Sequence, residues 1–303
     1  MNWGRRYFAL QAVAGAAWWV TVFASPWVRE TTLGGLHPVA VAAVDIPLFV
    51  IASALAAGGV RSASIVAAGW TLLVAVALAV YATLTAQAGW GVVLMAGAAA
   101  GSLFALGLVL WGRVPTEWII RGPFAPRVAV ARAGAGRHVA LTFAQIVVFW
   151  GFFLVVLPLV IVALERRWAV GIDLPWPVTA AGIGVLVLAS ALGIWSAVTM
   201  STLGDGTPLP SATANRLVIA GPYRWLRNPM ALAGIAQGVG VGLLLGSWLV
   251  VVYALAGSLV WNYAVRPHEE ADLEARFGDD FMAYCADVRC WIPRVPSGRQ
   301  LTH

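Results

Sequence analysis

Apolar residues run through this chain in long blocks separated by short polar gaps. The blocks are Tyr7–Val28, Pro38–Val60, Ser64–Ala88, Gly91–Trp111, Val139–Leu164 and Pro177–Met200, followed by two shorter ones, Met230–Leu245 and Trp248–Val265. About 20 apolar residues suffice for a helix to cross the hydrocarbon of a bilayer. A helix also satisfies its own backbone there, which an open strand does not. The pattern predicts an all-α fold, a polytopic transmembrane helical bundle of about eight spans. Gly246-Ser247 between the last two blocks predicts a tight helical hairpin. Leu273 and Phe277, spaced i, i+4, predict a C-terminal interfacial helix on the cytosolic side over 266–278.

Composition fits the same solvent. Hydrophobic residues make up 61% of the chain and charged residues 11%, against about 25% charged in an ordinary soluble domain. So few charges do not build a water-soluble surface. The net charge is +6, and all 19 basic residues are Arg. They lie in the gaps between apolar blocks, a pattern of topology signals and anionic headgroup contacts that argues against a nucleic-acid partner and for membrane lipids.

With the N-terminus inside, sixteen fall on the inner side: Arg5, Arg6, Arg61, Arg113, Arg121, Arg127, Arg132, Arg137, Arg216, Arg224, Arg227, Arg266, Arg276, Arg289, Arg294 and Arg299. Only Arg29, Arg166 and Arg167 fall outside. The positive-inside rule then predicts cytoplasmic termini and puts every polar segment after Met200 on that side. Arg5 and Arg6 precede a long apolar run without a small-residue cleavage site, which reads as a retained first span. The Ala, Val, Gly and Arg bias suggests a GC-rich bacterial genome and hence a bacterial inner membrane.

Polar chemistry is unevenly spread. Residues 1–138 comprise N-terminal transmembrane helices and a basic Gly/Pro/Ala linker, and residues 139–303 form a second region that holds most of the polar positions. Seven of the thirteen acids fall between Glu269 and Asp287. Gly122-Pro123-Phe124 echoes Gly221-Pro222-Tyr223, but two triplets do not make a repeat. Asp45, close to Pro47, is an acid inside a predicted span, either a functional group or a residue near the bilayer edge. Gly234, Gly238, Gly242 and Gly246 recur every four residues and predict a close helix contact, with Gln237 bonding a neighbouring helix. Gly182-x-Gly184 reads as packing as well. Cys285 and Cys290 form neither a disulfide framework nor a zinc set and read as two free thiols. His37, His138, His268 and His303 are too scattered for a metal site.

The informative stretch follows Met200. Ser201–Ala214 is rich in Gly, Pro, Ser and Thr and predicts a loop. In Asn215-Arg216-Leu217-Val218-Ile219-Ala220-Gly221-Pro222-Tyr223-Arg224-Trp225-Leu226-Arg227-Asn228-Pro229, the Gly-Pro and Asn-Pro steps break the chain twice. Asn228 suits a helix cap and Pro229 the first helical turn. Such a helix start can hold an anion or carboxylate. The alternative is a plain interfacial loop anchored by Tyr223, Trp225 and Arg227. Farther on, Arg266-Pro267-His268-Glu269-Glu270 opens the last helix. The acids either favour the helix dipole or hold a cationic cofactor group, with Arg266 beside them for an anion. Tyr284 and Trp291 fit an interfacial aromatic belt.

These residues resemble the integral-membrane methyltransferases that include isoprenylcysteine carboxyl methyltransferase and the phospholipid N-methyltransferases. The resemblance covers residues 139–303 and is sharpest over 215–293. It rests on an ordered set: Leu217-Val218-x-x-Gly221-Pro222-Tyr223, then Arg227-Asn228-Pro229, then Arg266-x-x-Glu269-Glu270 with Phe277-Gly278, Tyr284 and Trp291-x-Pro293. It implies an S-adenosylmethionine site at the cytosolic membrane surface, lined by Asn215, Leu217, Val218, Gly221, Tyr223, Asn228, Pro229 and Glu269. By the same resemblance Glu270 adjoins the reacting groups and Arg266 orients a lipid-like or isoprenoid acceptor, a carboxylate or an amine. The isoprenylcysteine enzymes carry His where Asn215 and Asn228 stand, and Tyr and Gly are usual at the positions of Ala231 and Ala233. Two other classes compete: an NADPH-dependent membrane reductase of the sterol reductase type, and a transporter or non-catalytic membrane protein. Paired carboxylates argue against a dinucleotide phosphate, and transport leaves the 215–293 cluster unexplained.

Overall fold

The computed structural model describes residues 2–117, 135–204 and 215–293. The Gly122-Pro123-Phe124 triplet, Arg121, Arg127, Arg132, Arg294, Arg299, His303 and the side chains of Arg137 and His138 lie outside this description. All regular structure among the described residues is helical: α1 Trp3–Ala24, α2 Pro26–Leu33, α3 Pro38–Asp45, α4 Ala52–Gly58, α5 Arg61–Thr85, α6 Gly89–Trp111, α7 Ala135–Trp150, α8 Leu157–Arg167, α9 Trp176–Leu203, α10 Pro229–Leu244, α11 Trp248–Val260 and α12 Arg266–Asp287. Short π-helical turns join α3 to α4, α7 to α8 and α11 to α12. Seven described helices are long and apolar enough to cross a membrane, and α10 is a shorter apolar helix. This is the polytopic helical protein that the hydrophobic pattern predicts.

The boundaries differ from the pattern in places, for local reasons. The first block was expected to run to Val28. The helix instead stops at Ala24, because Ser25 takes an extended conformation and caps α2 through a bond from the Val28 amide, with Pro26 in the first turn of α2. The expected loop at Ser201 begins later, since α9 continues to Leu203. Ser201 stays buried, its hydroxyl bonded to the Ala197 carbonyl and 2.8 Å from the Thr142 hydroxyl. The last helix was expected to end near Gly278. Gly278 does leave helical geometry, with φ +52°, but helical residues resume and reach Asp287.

The chain packs as two compact units. Unit 1 comprises Met1–Pro115 and Ala163–Gly171; unit 2 comprises Thr116–Val162 and Ile172–His303. In unit 1, Phe8, Ala52, Ala56, Ala63, Ala67 and Ala105 form one core cluster and Trp19, Val22, Leu33 and Ala42 another. Arg167 joins this unit by donating to the Thr83 and Leu84 carbonyls at 2.6 and 2.7 Å. Asp45 is buried within the unit: Trp19 Nε1 donates to one carboxylate oxygen at 2.9 Å and Trp70 Nε1 to the other at 2.7 Å.

In unit 2, α9 packs against α10 and α10 against α11. A Cβ added at Gly240 would stand 3.0 Å from the Leu186 nitrogen and 3.1 Å from the Gly182 carbonyl oxygen. One added at Gly238 would stand 2.8 Å from Ala254 Cβ. Glycine therefore sets both contacts, as small residues do between membrane helices. The predicted stripe is only half used: Gly238 and Gly242 face α11, while Gly234 and Gly246 face open space. Gly182 packs on α10 and Gly184 does not. Gln237 bonds a neighbouring helix as expected, donating to the Ser190 hydroxyl at 3.0 Å.

Gly240→Leu forces α9 and α10 apart and is expected to destabilise unit 2 by about 1–3 kcal/mol, read as a lower melting temperature in detergent. Gly184→Ala, made toward open space, is expected to leave the melting temperature unchanged or slightly raised.

Candidate functional site

α11, its π turn and α12 form a run of 40 residues over Trp248–Asp287, broken at Gly278 where the backbone leaves helical geometry. At about 1.5 Å per residue, even the part before Gly278 is longer than the hydrocarbon is thick. Its first part is apolar, and from Arg266 onward it carries alternating charge. The spanning stretch therefore ends at the π turn, and α12 lies outside it. The break at Trp261–Val265 is where Pro267 deprives the ladder of a donor.

The Gly221-Pro222-Tyr223-Arg224 segment forms one 3-10 turn. Gly221 has φ +54°, and a Cβ there would meet the Thr199 hydroxyl oxygen at 2.8 Å, so glycine is required on both counts. The turn buries Pro222 and Tyr223. The Tyr284 hydroxyl donates to the Tyr223 carbonyl at 2.6 Å, a buried bond that ties the turn to α12. Around it Phe281, Tyr284 and Val288 pack with Leu217, Ile219, Leu273 and Phe277. Tyr284 is thus an interior anchor rather than a member of an aromatic belt. Trp291 is likewise engaged, donating to Asn262 Oδ1 at 3.0 Å and meeting the Trp261 ring edge-on at 5.3 Å.

Pro229 starts α10, as its type predicts. Asn228 occupies the cap position but makes no side-chain cap bond. Its amide nitrogen donates instead to Cys290 Sγ at 3.3 Å, because the chain after α12 returns here: the Arg227 amide bonds the Arg289 carbonyl at 3.1 Å. Arg227 also donates through Nη1 to Cys285 Sγ. Its Nη2 lies 3.4 Å from Glu270 Oε1, an ion pair in which both side chains are partly buried. Arg266 bonds Cys290 and feels the charge of Glu270.

Three charged groups keep buried atoms without a hydrogen-bond partner among the described residues: Arg227 Nε, Arg266 Nε and Glu270 Oε1. Glu269 has no ion pair of that kind among the described residues. Desolvation, and then the charge of Glu270, push its carboxyl from the ordinary range up to about 7. Burial, then the neighbouring charges of Tyr284 and Glu269, push the Tyr223 phenol far above its usual value, so it stays protonated.

Of the residues singled out from sequence, Tyr223, Asn228, Pro229, Arg266, Glu269 and Glu270 converge through these contacts. Val218 is buried and Leu217 packs on the Tyr284 cluster beside them. Asn215 is held by its backbone, its amide bonding the Gly204 carbonyl at 2.7 Å. His268 is engaged with the Thr116 hydroxyl at 3.1 Å. The structure adds Arg227, Tyr284, Cys285 and Cys290. Arg227 was visible as the first residue of the Arg-Asn-Pro step. The cysteines carried no signal, since neither spacing nor local pattern says that the chain folds back onto α10.

The phospholipid methyltransferase family model matches residues 178–280, a segment that contains the 3-10 turn, the start of α10 and the Glu269-Glu270 pair. The match supports the resemblance to integral-membrane methyltransferases read from the sequence. Among solved structures, the eukaryotic intramembrane Ras methyltransferase ICMT (isoprenylcysteine carboxyl methyltransferase), without a monobody, aligns over 97% of this chain and 99% of that chain at 15% identity, with a TM-score of 0.33. No curated protein matches the chain.

Tyr284→Phe leaves the buried Tyr223 carbonyl without its donor and is expected to cost about 1–3 kcal/mol. The expected readout is a lower melting temperature together with faster hydrogen exchange confined to 217–224 and 281–288.

Proposed function

We propose that this protein transfers a methyl group from S-adenosylmethionine to a lipid-like acceptor at the cytosolic membrane face. The observation that carries this reading is the coincidence of the family match over 178–280 with the cluster of Tyr223, Asn228, Glu269, Glu270 and Arg266. The donor set suits the cofactor. A desolvated carboxylate at Glu269 favours a cationic group, and the unpartnered Nε atoms of Arg227 and Arg266 favour an anionic one.

When bound, S-adenosylmethionine supplies an electrophilic methyl group on a sulfonium. The residues of the chain have three tasks. Glu269, Tyr223 and Asn228 hold the cofactor, with Asn215, Leu217, Val218, Gly221 and Pro229 shaping its surroundings. Arg266 orients the acceptor, and Glu270, paired with Arg227, fixes the charges beside it. Methyl transfer needs donor and acceptor aligned and water excluded, so alignment would supply most of the rate. A carboxylate acceptor needs no general base. An amine needs one, which His268 or a glutamate of the pair would have to supply, so a carboxylate on an isoprenoid-type or other lipid-like molecule is the simpler acceptor. The Arg distribution supports a site and termini on the cytoplasmic side, and the Ala, Val, Gly and Arg bias supports a bacterial inner membrane.

The test is equilibrium binding of tritiated S-adenosylmethionine to the purified protein in detergent. Saturable binding that Glu269→Gln weakens by about tenfold or more, a loss of about 1.4 kcal/mol or more, supports the reading. Absence of binding, or saturable NADPH binding in its place, overturns it. Acidity supplies a second check. Glu269 is anionic above its raised pKa of about 7 and neutral below it. Affinity for the cationic cofactor is therefore expected to fall as pH drops from about 8 to 6, and this component of the profile is expected to vanish in Glu269→Gln. Methyl transfer to a prenylcysteine acid but not to phosphatidylethanolamine would select the carboxylate acceptor.

A further inference from the structure

Unit 1 carries a partly open cavity of about 620 Å³, walled by apolar groups such as Leu10, Leu36, Phe49, Val74, Leu94 and Met95. Its size is that of a small-molecule site, for which about 300–1,000 Å³ and a mostly apolar lining with few polar groups are usual.

The polar groups in the wall are few and not equivalent. Gln11 is satisfied: its amide donates to Ser53 and Thr71, and its oxygen accepts from Ser102 at 2.7 Å. Asp45 accepts one indole N–H on each oxygen, which stabilises the carboxylate and leaves it lone pairs to spare. Trp18 has the opposite deficiency. Its Nε1 is buried and donates to no partner among the described residues. One wall thus holds a donor without an acceptor and an acceptor with capacity left, both in apolar surroundings.

We propose that this cavity binds a neutral lipid alcohol, with the hydrocarbon chain in the apolar volume and the hydroxyl between Trp18 and Asp45. A hydroxyl accepts from the Trp18 N–H and donates to Asp45 at once. A carboxylate or phosphate meets the charge of Asp45. An ammonium is drawn to Asp45 but offers Trp18 no acceptor, and a bare hydrocarbon answers neither. The lining residues of this site all belong to unit 1.

The experiment is saturation binding of tritiated farnesol to the full chain in detergent micelles, with farnesylamine, farnesoic acid and farnesene as competitors. One saturable site is expected, with all three competitors weaker than unlabelled farnesol. Ala77 lines the cavity, so Ala77→Trp fills part of it and is expected to lower affinity about tenfold or more. Trp18→Phe removes one hydrogen bond to the ligand and is expected to lower affinity about fivefold. Because Trp18 also packs on Trp19, the same change is expected to lower the melting temperature of the ligand-free protein slightly, and affinity is compared at a temperature where both proteins are folded. Non-saturable binding, or affinity indifferent to both substitutions, overturns the proposal. Farnesylamine binding more tightly than farnesol, with the preference abolished by Asp45→Asn, also overturns it and assigns the cavity to a cation.

Discussion

Lipid offers no hydrogen bonds, so a polar group carried into a membrane bundle is answered by another group of the chain or goes unanswered at high cost. Much of this protein follows from that constraint. Asp45 is held by two indoles, Gln11 by three hydroxyls and Gln237 by Ser190. Each pairing fixes one helix against another at a defined height. The helices between are smooth, apolar and rich in alanine and glycine, so these pairings and the glycine contacts supply much of the register that apolar surface alone leaves loose.

The same constraint marks functional ground by its exceptions. Where the spanning part of the last long helix ends, charged side chains gather around the 3-10 turn and the start of α10. There Arg227 Nε, Arg266 Nε and Glu270 Oε1 are buried without hydrogen-bond partners, and Glu269 is desolvated enough to titrate near neutrality. Charged groups left open in this way mark a candidate ligand site. The family match falls on this same stretch, and the residues that would hold a cationic cofactor and orient an acceptor share one cluster there.

The local breaks in the helices have identifiable causes as well. Pro47 follows Asp45 at the π turn between α3 and α4, and Pro267 follows the π turn before α12. Each removes a backbone donor and shifts the ladder by a residue. In the first case the shift sits beside the carboxylate in the wall of the unit 1 cavity. In the second it begins the charged half of the helix that carries the candidate site.

The sequence by itself determined the solvent, the helical class and the approximate spans, and pointed to Tyr223, Asn228, Arg266, Glu269 and Glu270 as candidates, because apolar length, Gly/Pro breaks and ordered motifs are local signals. The start of α10 at Pro229 was legible for the same reason. Only the tertiary structure decided what these residues touch. Asn228 was expected to cap α10 and turns instead to Cys290; Tyr284 was expected at the interface and is buried beneath the Tyr223 turn. Cys285 and Cys290 looked inert and lie against the guanidinium groups of Arg227 and Arg266. The pairing of Asp45 with Trp19 and Trp70 is equally invisible in the chain. In each case the partners are some 25 to 60 residues apart, and in an apolar chain no hydrophobic period distinguishes one buried face from another. What brings them together is the return of the chain after Gly278 and the glycine-set packing of the helices, which exist only once the helices are assembled.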